Sequence, residues 1–256
     1  LSKDKKSGGE SGERQGTALS KRLGKSLSPG SGGPHIKHFV GEVSALAEPF
    51  RRMGSGALEV QKSARPRPVM LLPGFGTHPV RMRYMGSKLE EAGHRATDWG
   101  MGWNLGPTPE NIEELQGNIR AFHEECGERV ALVGWSLGGL FAREMAKRET
   151  DAISLVVTMG SPFSGNPHDN NAWRAYELIA GHSVEDAPML GTMAEKPPVP
   201  TVALWSARDG IVAPRCACGN PFERDRAEAL RCTHLGFANS GEAIEAVLRA
   251  LEKDAL

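Results

Sequence analysis

From residue 68 onward, short apolar runs alternate with stretches in which apolar side chains recur every three or four positions. Pro68–Leu72 (Pro-Val-Met-Leu-Leu) reads as a buried strand. Pro79 to Ala92 carries Met82, Met85, Leu89 and Ala92 on one helical face, and Gly93 stands where a helix C-cap is expected. His94 to Trp99 is a second strand. Thr108-Pro109 opens a helix by capping, with proline at the first helical position, and its apolar face is Ile112, Leu115, Ile119 and Phe122. Val130–Val133 is a strand and Leu140 to Arg148 a helix. Ile153 to Thr158 and Thr201 to Trp205 are further strands. Ser240 caps a last helix with Ile244, Val247, Leu248 and Leu251 on its buried side. Strands alternating with amphipathic helices predict a mostly parallel sheet with helices on both faces.

Three stretches break this rhythm. Residues 1–33 are rich in Gly, Ser and Lys without apolar periodicity, as expected of a disordered tail. Residues 34–67 hold a helix over His35 to Met53, kinked or ended at Pro49, and then a polar linker. The core then occupies 68–256, interrupted at 161–200 by a loop-rich insertion. This insertion falls between two core strands, on the side where open α/β sheets bind ligands, so a small cap over a pocket is expected. Trp173, Tyr176, Leu178, Ile179, Met189, Leu190 and Met193 would give it an apolar lining.

Composition narrows the function classes. The 31 Lys and Arg balance the 31 Asp and Glu, so no global field points to nucleic acid. No apolar run reaches the roughly 18 residues of a membrane span. The N-terminal stretch is polar and shows no leader, which makes the cytoplasm the default expectation and a secreted or periplasmic location the alternative if a leader has been removed. Oligomeric state is not legible.

The chemistry concentrates at Gly134-Trp135-Ser136-Leu137-Gly138-Gly139, between a strand and a helix. Gly-x-Ser-x-Gly in that setting describes a turn sharp enough to lift a serine hydroxyl above the sheet edge at a helix N-terminus. A serine hydroxyl is a weak nucleophile until a base takes its proton. Of the histidines after Ser136, His168 and His182 lie in the insertion, whereas His234 lies in the loop before the last helix. An imidazole base needs a carboxylate to fix its tautomer. Asp209, after the strand Thr201 to Trp205, is the candidate, and Asp186 in the insertion is its rival. A tetrahedral oxyanion needs two donors. Leu137 N–H is one, and the loop Gly74-Phe75-Gly76 offers Phe75 N–H as the other. Trp135 joins Trp173, Tyr176, Ile179 and Met189 as the expected substrate-contacting side chains.

With these residues assembled, the chain from about Pro68 to Leu251 resembles the α/β-hydrolase superfamily, within it the bacterial esterase/lipase group with a Pro-Gly-Phe oxyanion loop. The resemblance rests on Pro73-Gly74-Phe75-Gly76, Trp99 to Pro107 (Trp-Gly-Met-Gly-Trp-Asn-Leu-Gly-Pro), the Ser136 turn, Asp209-Gly210-Ile211-Val212 and His234-Leu235-Gly236. The chain order Ser136, Asp209, His234 is the order of that fold. Two departures stand out. Many lipases carry His-Gly where this chain has Pro73-Gly74, and the front of the chain has little room for the fold's first antiparallel strands. A minimal α/β-hydrolase fold of about six strands is therefore expected. The resemblance implies a carboxylic ester hydrolase acting on a small-molecule ester, with an apolar acyl chain, through an acyl-enzyme on Ser136, and needing no cofactor and no metal. An acyltransferase or thioesterase on the same triad is the alternative, and a non-catalytic binding module a third class.

Cys216-x-Cys218 and Cys232-x-His234 invite a zinc reading, but the one-residue spacing is too short and a metal would consume His234. One disulfide, from Cys232 to Cys216 or Cys218, is expected instead, with buried thiols as the alternative. Such a bridge would close a loop of about 15 residues, contributing about 3 kcal/mol in the chain-entropy view.

Overall fold

The computed structural model describes residues 58–165 and 193–253. The 1–33 tail, the helix expected within 34–67, and most of the 161–200 insertion, with Trp173, Tyr176, Ile179 and Met189, lie outside the described residues.

Six strands form one sheet: β1 (Pro68–Leu72), β2 (Arg95–Asp98), β3 (Val130–Trp135), β4 (Ile153–Met159), β5 (Thr201–Ser206) and β6 (Arg226–Leu230). Their spatial order is β2-β1-β3-β4-β5-β6, and every neighbouring pair is parallel. The central strands β1 and β3 are buried along their whole length, which is why they read as unbroken apolar runs.

Alternation along each strand sends side chains to two separate layers. Val69, Leu71, Ala131, Val133, Leu155 and Val157 face α1 (Arg83–Glu91) and α5 (Gly241–Lys253). Met70, Leu72, Val130, Leu132, Val156 and Ala203 face α2 (Pro109–Cys126) and α3 (Leu137–Arg148). The predicted caps form as their chemistry requires. Thr108 Oγ1 accepts from Asn111 N at 3.2 Å while Asn111 Oδ1 accepts from Thr108 N at 2.8 Å. Ser240 Oγ accepts from Ala243 N at the start of α5. Gly93 has φ 104° just beyond α1, a conformation that favours glycine.

One element departs from the sequence reading. β6 (Arg-Ala-Glu-Ala-Leu) was not legible as a strand, because as an edge strand it buries only Leu230 fully. The described end of the polar linker is not detached. Leu58 packs against the α5 side of the core, Ser63 N donates to Ala92 O at 2.8 Å, and Ser63 Oγ donates to the Glu252 carboxylate.

The insertion re-enters the described chain at Met193, and a buried cation fixes that point. Arg143 on α3 is 1% exposed. Its guanidinium donates to the carbonyls of Met193, Ala194, Glu195 and Glu223 and lies 4.2 Å from the centre of the Phe163 ring. Burial lowers its pKa to about 10, opposed by the Glu223 charge, so it stays protonated at neutral pH. Met193 itself is buried beside α3 in the core.

His94, in the turn between α1 and β2, supplies a pH-dependent element. It is 3% exposed, its Nδ1 accepts from Arg67 N at 3.3 Å, and its Nε2 has no partner. Burial, then the nearby Arg67 charge, hold its pKa below the ordinary histidine value. A histidine whose folded pKa is depressed contributes stability above its unfolded pKa, about 6.5, and that contribution is lost as pH falls. The melting temperature is expected to drop from about pH 7.5 to about pH 5.5, with a shallower slope in His94→Gln, read by thermal denaturation across that range. Equal slopes would remove His94 as the cause.

Candidate active site

β3 ends in a sharp turn. Ser136 has φ 55° and ψ −120°, and among the described residues it is the one non-glycine with positive φ. Such a conformation costs on the order of 1–3 kcal/mol and persists only where the surroundings dictate it. Here they do. A Cβ on Gly134 would lie 2.3 Å from Gly138 O, one on Gly138 would lie 2.2 Å from Leu72 O, and one on Gly139 would lie 2.0 Å from Ser161 Oγ. α3 is thus pressed onto the ends of β1 and β3, and the chain can enter it only by the sharp bend at Ser136. Ser136 N donates to Met159 O at 2.8 Å, which ties the bend to β4. Leu137 is the first residue of α3, where a backbone N–H has no acceptor within its own helix.

Asp209 and His234 meet above the C-terminal ends of the strands. His234 Nδ1 lies 2.8 Å from Asp209 Oδ2, and the two residues are 3% and 2% exposed. Asp209 Oδ1 accepts from Ile211 N at 2.9 Å and Val212 N at 2.8 Å, so both carboxylate oxygens are occupied and the group cannot swing. The Asp209-Gly210-Ile211-Val212 run, legible as a turn, is the cradle that aims this carboxylate. Gly160, at φ 55°, lets it approach: a Cβ there would lie 3.0 Å from Asp209 Oδ2. With the Nδ1 proton directed at Asp209, the neutral imidazole keeps Nε2 as its acceptor.

Trp135 stands between the two loops. Its ring underlies Gly74, where a Cβ would lie 3.1 Å from Trp135 Cε3. Its indole Nε1 donates to His234 O at 3.0 Å, and the two rings are 5.8 Å apart. Trp135 is 2% exposed and belongs to the core. The sequence reading had it touching substrate; the structure puts it beneath the site, with its one polar atom committed to the His234 loop.

The loop carrying Phe75 follows β1 directly, and Phe75 is half-buried. Pro73 O comes within 2.7 Å of where a Gly138 Cβ would be, so this loop lies beside the first turn of α3 and Leu137. One group that sequence reasoning quoted only as part of a motif is Asn104, fully buried against this loop. Its signal was the uncommon density of Gly, Trp and Pro around it.

The expected disulfide is absent. No bridge joins any of the four cysteines. The cause is packing: Cys216 sits in a small cluster with Val212, Ala213 and Ala217, whereas Cys232 packs against the α5 side of the main core. Burial, then the Glu242 charge, push the Cys232 thiol well above its ordinary pKa. Among the described residues no group of three His, Cys, Asp or Glu could hold a metal ion, and no helix is long and apolar enough to cross a membrane.

The sequence pattern of the alpha/beta hydrolase family matches residues 69–251. No curated protein matches the chain. Solved structures do. A monoacylglycerol lipase of Paleococcus ferrophilus is similar at 20% identity and TM-score 0.54, over 76% of this chain and 97% of that one. A soluble variant of monoglyceride lipase from Saccharomyces cerevisiae gives 15% identity and TM-score 0.57, over 77% and 87%. A Bacillus licheniformis lipase in mature form gives 16% and 0.57, over 77% and 95%. At these identities the likeness bears on the fold.

The cysteine arrangement gives a direct check. Thiol titration of denatured, unreduced protein is expected to count four thiols, and reductant to leave the melting temperature unchanged. A count of two would restore the bridge.

Proposed function

Because the chain belongs to the alpha/beta hydrolase family, we propose that it is a carboxylic ester hydrolase with Ser136 as nucleophile, His234 as base and Asp209 as the acid that orients it. The observation that carries this reading is a strained, elbow-held Ser136 on the same sheet edge as a buried His234–Asp209 pair at 2.8 Å. A structural histidine does not need a carboxylate clamped on both oxygens, and a structural turn does not need a serine at positive φ.

In this mechanism Ser136 Oγ attacks the ester carbonyl and its proton passes to His234 Nε2. The imidazolium so formed is stabilised by Asp209 through Nδ1. Charge moves onto the carbonyl oxygen, where the N–H groups of Leu137 and Phe75 receive it. The tetrahedral intermediate collapses, the C–O bond breaks, and the leaving alcohol takes the proton back from Nε2. Water repeats the sequence on the acyl-enzyme and releases the acid. Trp135 acts as a positioning residue, holding the Phe75 and His234 loops at one spacing from Ser136. The reaction calls for no metal or organic cofactor. The apolar residues that the sequence places in the 161–200 insertion suit a preference for apolar acyl chains.

Ser136→Ala is expected to lower turnover on a p-nitrophenyl ester by about 10⁶, and Asp209→Asn by about 10⁴, with the melting temperature of each near wild type. A tenth of the wild-type rate surviving in Ser136→Ala would rule Ser136 out as nucleophile. Product analysis with added alcohol reads the acceptor: free acid marks a hydrolase, a new ester an acyltransferase. Substrates that differ only in acyl length test the insertion. Octanoate esters are expected to outperform acetate esters in kcat/KM, and equal efficiency would argue against an apolar cap.

A further inference from the structure

We infer that Asn104 is the positioning residue of the proposed oxyanion loop, fixing the direction of Phe75 N–H. This inference rests on the ester-hydrolase reading and extends it to a residue remote in sequence from the Ser136 turn, Asp209 and His234. Asn104 is 0% exposed and all its polar groups are engaged. Its Nδ2 donates to Pro73 O at 2.7 Å, and its Oδ1 accepts from Gly106 N at 3.2 Å. Its backbone O accepts from Gly76 N at 2.7 Å, and its backbone N donates to Thr77 O at 3.0 Å. The amide orientation is forced, because a carbonyl can only accept and a backbone N–H can only donate.

Peptide planarity turns these bonds into aim. A trans peptide holds its C=O and N–H antiparallel in one plane. The Pro73–Gly74 plane is held through Pro73 O and the Phe75–Gly76 plane through Gly76 N, both by Asn104. The plane between them carries Phe75 N–H. Its own oxygen, Gly74 O, accepts from Thr77 Oγ1 at 2.6 Å and Thr77 N at 3.2 Å. Three consecutive peptide planes are therefore locked, two of them by one buried side chain and its backbone. The segment bearing Asn104 is itself braced: Trp99 Nε1 donates to Gly102 O at 2.9 Å, and Asn111 Nδ2 to Gly106 O at 2.5 Å. Glycine at 74 and 76 supplies no stiffness of its own, so the direction of Phe75 N–H must come from outside the loop.

The test is Asn104→Asp, near-isosteric, which replaces the Nδ2 donor by a second acceptor facing Pro73 O. Fluorophosphonate labelling of the wild type and its loss in Ser136→Ala come first. In Asn104→Asp, kcat on p-nitrophenyl butyrate is expected to fall about 10- to 100-fold, less than the roughly 10²–10³ lost when an oxyanion donor is removed outright. KM is expected to stay within about twofold, as befits an interaction made in the transition state. The inhibition constant of an alkylboronic acid, which becomes tetrahedral and anionic on serine, is expected to rise in parallel with the loss in kcat. Thr77→Val, which removes the hydroxyl bond to Gly74 O, is expected to give a smaller loss of the same kind and serves if Asn104→Asp does not fold. A labelled, active wild type whose two variants keep kcat and boronate affinity would overturn this inference alone. A rise in KM with unchanged boronate affinity would do the same. A wild type that takes no label would overturn the hydrolase reading and this inference with it.

Discussion

The contact on which the site depends is the seating of α3 against the ends of β1 and β3. At Gly138 the helix backbone meets the Leu72 carbonyl at a distance no side chain would permit, and Gly134, in β3, meets the Gly138 carbonyl just as closely. This approach fixes Ser136 at positive φ, because a relaxed bend would swing the helix away from the sheet. The same approach lays Pro73, and with it the loop of Phe75, next to Leu137. Loss of the contact would relax the serine and separate the two N–H groups together. Gly138→Ala therefore acts on geometry before it acts on chemistry.

Around that contact, burial and hydrogen bonding tie loops from distant parts of the chain into one frame. Trp135 reaches Gly74 with its ring and the His234 carbonyl with its indole N–H. Asn104 joins the segment after β2 to the loop after β1. Arg143, two turns along α3 from Ser136, gathers the carbonyls where the insertion returns to the core and the carbonyl of Glu223 before β6. Each of these side chains is nearly fully buried, and each buried polar atom meets a backbone group. In a dry setting such bonds are costly to leave unmade, which gives them directional authority that surface contacts lack. The loops need no rigidity of their own because three buried donors hold them.

Much of this was legible in the sequence. The strand runs Pro68–Leu72 and Val130–Val133 could only be fully buried, and their alternation with amphipathic helices specified a parallel sheet. Gly134, Gly138 and Gly139 encode a turn through what they lack, since only glycine lets the helix approach. Thr108, Gly93 and Ser240 mark helix ends by local bonding. These features depend on neighbours a few residues away, so periodicity and capping read them directly. The pairing of Asp209 with His234 followed from chain order and loop position, and its 2.8 Å geometry adds the cradle of Ile211 N and Val212 N.

What tertiary structure decided is what depends on contacts across the sheet. β6 has an edge strand's weak apolar pattern, so only its pairing with β5 makes it a strand. Cys216 and Cys232 lie close in sequence but belong to different packed clusters, and proximity along the chain misled on their pairing. Trp135 next to the serine suggested a substrate contact, yet alternation along β3 turns its side chain into the core. The buried roles of Asn104 and Arg143 leave no periodic trace, because their partners are backbone carbonyls, which every residue carries. Sequence determined most of the elements and the candidate site residues, since those follow from local stereochemistry and residue type. The aim of those side chains was decided by burial and long-range hydrogen bonds, which exist only once the chain has closed on itself.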